Sequence, residues 1–178
     1  QIEFVKKNGI INGPKKVLII GASTGYGLAS RITAAFGCQA DTIGIMYERE
    51  ASGKRTASPG WYNTKAFEEE ARKAGLYAYS INKDAFLRQT KEEAMDEIEQ
   101  NLGKIDMVIY SLAAPRRTTE DGQVYESVLK PIGEKFSEKS WNLTTNVISE
   151  ATIEPATQEE VDQTVKVMGG EDWQDWIR

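Results

Sequence analysis

The chain carries, at residues 17–27, the run Val-Leu-Ile-Ile-Gly-Ala-Ser-Thr-Gly-Tyr-Gly. Its first four residues are aliphatic with no polar alternation, which is typical of a parallel strand covered on both faces. Gly21 then permits a tight turn, and Gly25 and Gly27 allow a phosphate and the strand to approach the first turn of the next helix. Because a helix start presents N–H groups and a positive dipole end, the run predicts a site for the pyrophosphate of a dinucleotide. The alternative is a tight strand-to-helix connection that holds no ligand.

Patterns typical of strands and helices alternate from Val17 to Tyr110. The predicted strands are residues 17–20, 42–47, 76–81 and 105–110. The predicted helices are residues 28–37, about 64–74 (with Asn63 as N-cap) and 90–102, with a polar loop at 49–62 and glycines 37, 75 and 103 at the helix ends. This order predicts an α/β fold with a Rossmann-type parallel sheet and flanking helices, the first half of a doubly wound fold.

The alternation ends after Ser111. Asp121-Gly122 lies between short β-prone segments and predicts a small hairpin. Residues 147–153 fit either a further strand or a segment along the surface. The sequence from Thr157 to Glu160 is a capping box, which predicts a helix through Met168. The predicted organisation is a βαβαβαβ nucleotide-binding half at residues 1–113 and an extension of a hairpin and C-terminal helices at residues 114–178.

The composition excludes several kinds of site and partner. A net charge of −5 and a pI near 5.0 argue against nucleic-acid or acidic-membrane binding. No apolar run approaches the roughly 18 residues that a membrane-spanning helix needs. Cys38 is the only cysteine, so no internal disulfide can form, and a cytoplasmic location is expected. The sequence has no histidine, which excludes histidine bases, Ser-His-Asp triads and most zinc sites; we expect no metal site.

Glu48 directly follows Tyr47 at the end of the second predicted strand and is a candidate for sugar recognition. A carboxylate at that strand end accepts hydrogen bonds from adenosine ribose hydroxyls and repels a 2′-phosphate, which favours NADH over NADPH. Arg49 is a complication, because its guanidinium could neutralise such a phosphate. The alternative is a solvated glutamate with no ligand.

The ends of the third and fourth predicted strands carry further candidates. Asp84 could accept a hydrogen bond from the amino group of an adenine while Ala85 packs on its ring, and a helix cap is the alternative. Leu112 and Ala113 follow the fourth strand, at the sheet edge where ligands bind in open α/β sheets, although their position alone favours ordinary core packing. Arg116-Arg117 could hold phosphates or lie in solvent.

Tyr79 and Lys83 have the Tyr-x-x-x-Lys spacing of a proton-donating pair. That pair works on a helix, where residues i and i+4 share a face. Tyr79 falls in a predicted strand, where four residues span about 13 Å. No other tyrosine has a lysine four or nine residues later. We therefore assign no catalytic residue to this chain.

Several longer segments identify a protein family more specifically than the glycine turn does. They are residues 13–17, 21–36, 60–63 (GWYN), 74–77, 84–86, 110–113, 115–118 and 167–173 (VMGGEDW). Through these segments nearly the whole chain resembles the trans-2-enoyl-CoA reductases and the related single-chain NADH-dependent enoyl-[acyl-carrier-protein] reductases. The resemblance implies reduction of the C2–C3 double bond of a 2-enoyl thioester, carried by coenzyme A or acyl carrier protein, in fatty-acid metabolism.

The resemblance also implies NADH contacts that position alone does not establish. The implied contact residues are Gly21, Ala22, Ser23, Thr24, Gly25, Tyr26, Tyr47, Glu48, Asp84, Ala85, Leu112 and Ala113. Among them, Glu48 is the residue expected to set the preference for NADH.

Members of the resembling family are roughly twice as long, and their catalytic tyrosine and lysine follow the Gly-Gly-Glu-Asp-Trp segment. We therefore expect a piece of a longer enzyme that is inactive alone. Its fourth strand is expected to expose an unpaired edge, which invites pairing with the rest of the parent chain or with a second copy. Two other functions fit the glycine turn: a non-catalytic, redox-sensing dinucleotide module, and a methyltransferase that holds S-adenosylmethionine.

Overall fold

The structure, a computed structural model, describes residues 1–177. Its contacts divide the chain into two compact units. The first unit comprises residues 1–113 and the residues from Asp175 onward, and the second comprises residues 114–174. No helix within the described residues is both long and apolar enough to cross a membrane.

The first unit contains a four-stranded parallel sheet and the helices that cover it. Its strands are β1 (Lys16–Ile20), β2 (Asp41–Met46), β3 (Ala78–Asn82) and β4 (Met107–Tyr110). Its helices are α1 (Ile2–Lys7), α2 (Gly25–Ile32), α3 (Pro59–Lys73) and α4 (Arg88–Glu97), and π-helical turns extend α2 over Thr33–Gly37 and α4 over Ile98–Leu102. The strand order is β3-β2-β1-β4 with parallel neighbours, which confirms the predicted α/β sheet.

The core lies on both faces of β1 and β2. Leu18 and Ile20 pack toward one face, with the apolar side of α4 and its π-helical turn. Val17 and Ile19 pack toward the other face, with Ala34 from the turn that extends α2. All four strand residues are at most 2% exposed, as expected for an aliphatic run without polar alternation.

The start of α3 differs from the sequence prediction. The N-cap is Ser58, with extended backbone, and Pro59 occupies the first helical position. Proline suits that position, because its fixed φ matches the helix and its missing N–H would have no intrahelical partner. The prediction of Asn63 as N-cap was therefore wrong, and the end of the predicted 49–62 loop is helical.

The end of α2 also differs from the prediction, which placed Gly37 just after the helix. Gly37 lies inside the π-helical turn, and the residue with a positive φ is Gln39, at 58°. A Cβ at Gly37 would lie 3.3 Å from Val5 Cγ1, so glycine there permits close packing on α1. Gly75 and Gly103 have φ values of 73° and 75° and end their helices as predicted.

The second unit contains two antiparallel hairpins and helical structure. Its strands are β5 (Arg116–Thr118), β6 (Val124–Glu126), β7 (Phe136–Asn142) and β8 (Val147–Ile153), paired β5 with β6 and β7 with β8. Gly122, with φ at 84°, lies in the β5–β6 turn and confirms the predicted small hairpin. Residues 147–153 form a strand, which is the first of the two predicted alternatives. They pair with β7, a strand that the sequence did not predict.

Two helices, α5 (Gln158–Met168) and α6 (Gly170–Ile177), complete the described chain. The predicted capping box precedes α5: Thr157 Oγ1 accepts from Glu160 N at 3.2 Å, and Glu160 Oε2 accepts from Thr157 N at 2.9 Å. The two bonds occupy two of the backbone N–H groups that a helix start leaves unpaired.

Candidate cofactor site

The turn after β1 packs directly against the segment that follows β4. Gly21 has a φ of 85°, and a Cβ there would lie 2.1 Å from the carbonyl oxygen of Ser111. The N–H groups of Gly21 and Ala22 both donate to the Ile45 carbonyl, each at 2.9 Å. Glycine at position 21 is therefore required by backbone conformation and by space.

The start of α2 is closed on one side and open on the other. A Cβ at Gly27 would lie 1.9 Å from the Gly21 carbonyl oxygen, so glycine lets the helix rest on the strand end. At Gly25, with φ at 53°, an added Cβ would meet no described atom within 4 Å. Thr24 is the N-cap but makes no side-chain cap bond, and Tyr26 is 88% exposed. An accessible helix start without a side-chain cap fits the pyrophosphate of a dinucleotide.

Glu48, just after β2, lies against this turn. Its Oε1 accepts from Ser23 Oγ at 2.6 Å, and its Oε2 accepts from Ser58 Oγ at 2.5 Å. A Cβ at Gly60 would lie 2.0 Å from Oε1 of the same carboxylate. The folding of the chain therefore brings together the glycine turn, the end of β2 and the start of α3.

The backbone of Glu48 is held from the neighbouring strand. Asn82, the last residue of β3, accepts from Glu48 N at 2.7 Å and donates to Glu48 O at 2.9 Å. Sequence reasoning missed Asn82 and Ser58, and it noted Gly60 as a turn former of the 49–62 loop and within the Gly60–Asn63 segment of the family resemblance. Asn63 itself lies in α3 and donates to Ser23 O at 3.3 Å.

Tyr47 directly follows β2, and Asp84 lies two positions beyond the end of β3. The Tyr47 side chain is 78% exposed. Asp84 Oδ1 accepts from Phe86 N at 3.0 Å, within its own turn. The N-cap of α4 is Leu87, so the alternative role of Asp84 as a helix cap was wrong.

The remaining predicted residues differ in exposure. Ala85 is only 5% exposed and packs in the core cluster with Ala94, which leaves little of its surface for the predicted contact with an adenine ring. Leu112 is half-buried against the same cluster, and Ala113 is exposed. Ser111 N donates to the Ile20 carbonyl at 2.8 Å, which places Leu112 and Ala113 directly after the sheet edge.

Arg31 is a buried cation that the sequence analysis did not single out. Its guanidinium, on α2, donates to Thr42 Oγ1 at 3.1 Å, to Ser80 Oγ at 2.8 Å and to Tyr79 O at 2.7 Å. A Cβ at Gly44 would lie 2.3 Å from its Nη1. Burial lowers the pKa of Arg31 to about 10, so it stays charged at neutral pH. The sequence feature that could have indicated this contact is Gly44, a lone glycine within a buried aliphatic strand.

Tyr79 lies in β3, as predicted, and not on a helix. The Lys83 side chain, just past β3, forms an ion pair with Glu93 of α4.

Within residues 1–177, no group of three or more cysteine, aspartate or glutamate side chains is arranged to hold a metal ion. In the second unit, Arg117 donates to the Lys166 carbonyl at 3.1 Å and pairs with Glu171 at 3.5 Å.

Two family models match the chain. The "Trans-2-enoyl-CoA reductase catalytic region" matches residues 55–178, and the "NAD(P)H binding domain of trans-2-enoyl-CoA reductase" matches residues 1–53. The chain is 58% identical over 180 residues to the NADH-dependent enoyl-[acyl-carrier-protein] reductase of Idiomarina loihiensis, covering 100% of this chain and 46% of that protein. It is also 58% identical to the NADH-dependent trans-2-enoyl-CoA reductase of Ruminiclostridium cellulolyticum, covering 99% of this chain and 45% of that protein.

Solved structures agree with these sequence matches. The Clostridium acetobutulicum trans-2-enoyl-CoA reductase in complex with NAD superposes with a TM-score of 0.92 at 46% identity, over 98% of this chain and 45% of that chain. The Treponema denticola trans-2-enoyl-CoA reductase in complex with NAD superposes with a TM-score of 0.91 at 46% identity, over 99% of this chain and 46% of that chain. The chain thus spans less than half the length of the relatives that it matches. Since one family model covers well over half of its residues, the chain belongs to the trans-2-enoyl-CoA reductase family.

Proposed function

We propose that this chain is the NADH-binding part of an enzyme that reduces the C2–C3 double bond of 2-enoyl thioesters. The observation that carries the proposal is the junction of the Gly21–Gly27 turn with the Glu48 carboxylate. A helix start without a side-chain cap suits a pyrophosphate, and an adjacent strand-end carboxylate suits a ribose diol. The names of the relatives, which specify NADH, support the same cofactor.

The proposed cofactor contacts follow the carboxyl ends of all four strands. They are Gly21, Ala22, Ser23, Thr24, Gly25 and Tyr26 after β1, Tyr47 and Glu48 after β2, Asp84 and Ala85 after β3, and Leu112 and Ala113 after β4. In this proposal the residues up to Ala113 form the nucleotide-binding half, and residues 114–178 form the extension.

The chemistry divides between the cofactor and the rest of the parent enzyme. NADH, when bound, supplies the hydride for the β-carbon of the enoyl thioester. Tyr79 is on a strand and Lys83 is paired with Glu93, so these two residues do not form a helical proton-donating pair. We therefore propose that the chain alone binds NADH without turning over substrate.

The carrier of the acyl group is coenzyme A or acyl carrier protein, as the names of the relatives specify for those proteins. Within the described residues β4 pairs with β1 alone. Its other edge is available to the rest of the parent chain or to a second copy. A cytoplasmic parent enzyme fits a sequence with the single cysteine Cys38.

Calorimetric titration of the 178-residue chain tests the proposal. We expect NADH to bind more tightly than NADPH, and S-adenosylmethionine not to bind. With NADH and crotonyl-CoA we expect no oxidation of NADH above the background rate. Absence of NADH binding by folded protein would refute the cofactor site, and turnover at an enzymatic rate would refute the inactivity of the chain alone.

A further inference from the structure

Ser58 stands at the N-cap of α3 but does not use its side chain as a cap. A serine at this position normally accepts a hydrogen bond from the second or third N–H of the helix. Here the Ser58 hydroxyl lies 2.5 Å from Glu48 Oε2 and 3.2 Å from the Arg49 carbonyl. A helix-start residue is therefore directed to the carboxylate of the proposed ribose site.

Hydrogen bonds from the described residues 1–177 use about half of the acceptor capacity of the Glu48 carboxylate. An ionised carboxylate only accepts hydrogen bonds and offers about four lone-pair positions. Ser58 occupies a position on one oxygen and Ser23 a position on the other. About two positions remain, which is the number that the two hydroxyls of a ribose need.

The position of the carboxylate is restricted from several sides. The space beside Oε1 is available only because residue 60 is glycine. The backbone of Glu48 is paired with the Asn82 amide through two hydrogen bonds. Rotation of the Glu48 side chain away from this place would break both serine contacts.

We infer that Ser58 is a positioning residue for the discrimination between NADH and NADPH. Its hydroxyl holds the Glu48 carboxylate where the carboxylate accepts from the ribose and repels a 2′-phosphate. Without that hydroxyl the carboxylate can rotate, which weakens the contact with NADH and makes room for the phosphate of NADPH. The inference rests on the proposed function, in which Glu48 faces the adenosine ribose.

The test measures the dissociation constants of NADH and NADPH for the 178-residue chain and its variants. Ser58→Ala is expected to reduce the ratio of the NADPH to the NADH dissociation constant by about fivefold to tenfold, the effect of losing one ordinary hydrogen bond. Ser58→Thr keeps the hydroxyl and should retain most of the preference. Ser140→Ala, at an exposed position of β7, is the matched control and should leave the preference unchanged.

Two further variants separate positioning from general damage. Ser58→Gly removes the hydroxyl but keeps a residue that helix starts accept, so it should narrow the preference as Ser58→Ala does. In a Glu48→Gln background, Ser58→Ala should change the ratio by less than about twofold, because coupled residues are not additive. A purely structural role would give the same effect of Ser58→Ala in both backgrounds.

The outcomes distinguish this inference from the proposed function. If the unmodified chain prefers NADH and both hydroxyl-free variants keep the full preference, the role of Ser58 is refuted while the proposed function stands. If the folded, unmodified chain binds neither nucleotide, the proposed function is refuted and the role of Ser58 with it.

Discussion

The central strand β1 and the hairpin of β7 and β8 are both β-structure, but different interactions hold them. Residues 17–20 of β1 are almost fully buried and pair with β2 and β4, which are distant in the sequence. Every residue of the hairpin is exposed, and its two strands are joined by a short turn. Its contacts are local ones, such as Trp141 opposite Ile148 and Trp141 Nε1 donating to Asn146 Oδ1 at 3.0 Å.

We infer from this contrast that most of the stability of the first unit comes from its buried sheet. Burial of apolar surface stabilises β1 and involves several elements at once, so a defect there affects the whole first unit. The hairpin depends on cross-strand pairs that contribute a few tenths to about 1 kcal/mol each. The proposed nucleotide site is at the carboxyl end of the well-packed strand.

The largest effect is expected when an isoleucine is replaced by alanine in β1, and the same replacement in β8 serves as the comparison. Ile19→Ala should lower the free energy of unfolding by about 2–5 kcal/mol, because Ile19 is fully buried and its removal leaves a cavity. Ile148→Ala, at a position 68% exposed in β8, should cost less than about 1 kcal/mol. Urea unfolding followed by circular dichroism measures both, and equal losses would contradict the contrast.

The next prediction compares the loss of a buried arginine with the loss of an exposed one. Arg31→Met should cost about 2–4 kcal/mol, because it leaves Thr42, the Ser80 hydroxyl and a backbone carbonyl of β3 without their donor. Arg88→Met is the control: it removes an exposed ion pair with Glu92 and should cost no more than about 0.5 kcal/mol. Thermal unfolding measures the difference, and an Arg31 variant as stable as the Arg88 variant would show that the buried network contributes little.

The smallest effect concerns a local contact in the second unit. Thr157→Ala removes the side chain that accepts from Glu160 N and should destabilise the start of α5 by about 1 kcal/mol. Hydrogen exchange of the Glu160 amide should then accelerate about fivefold, while Thr56→Ala, in an exposed loop, should leave it unchanged. Unchanged exchange in the Thr157 variant would mean that the capping box does not stabilise the helix start.

The features that were predicted correctly depend on neighbouring residues. The aliphatic run of β1, the Asp121-Gly122 turn and the Thr157 capping box each lie within a few positions. Strand β7 was missed because its residues show no apolar and polar alternation, and its register becomes clear only from its pairing with β8.

The missed residues of the site depend on contacts across the fold. Asn82 is 34 positions from Glu48, and the hydrogen bonds of Arg31 to Ser80 and Tyr79 cross 49 and 48 positions. No local pattern distinguishes such a residue from an exposed polar one. Ser58 is only 10 positions from Glu48, but the sequence placed it in the polar loop at 49–62, and nothing in that segment indicated a contact with the carboxylate.

Periodicity, turn chemistry and long specific segments lie along the chain itself, so they were enough to predict the alternating strands and helices of residues 17–110, the glycines of the first turn and the family resemblance. Two features follow only from the folded chain: Ser23 and Ser58 hold the Glu48 carboxylate, and the Arg31 guanidinium lies beneath Gly44. The reason is physical: a parallel sheet brings the carboxyl ends of separate strands to one edge, and only that closure sets which polar groups meet.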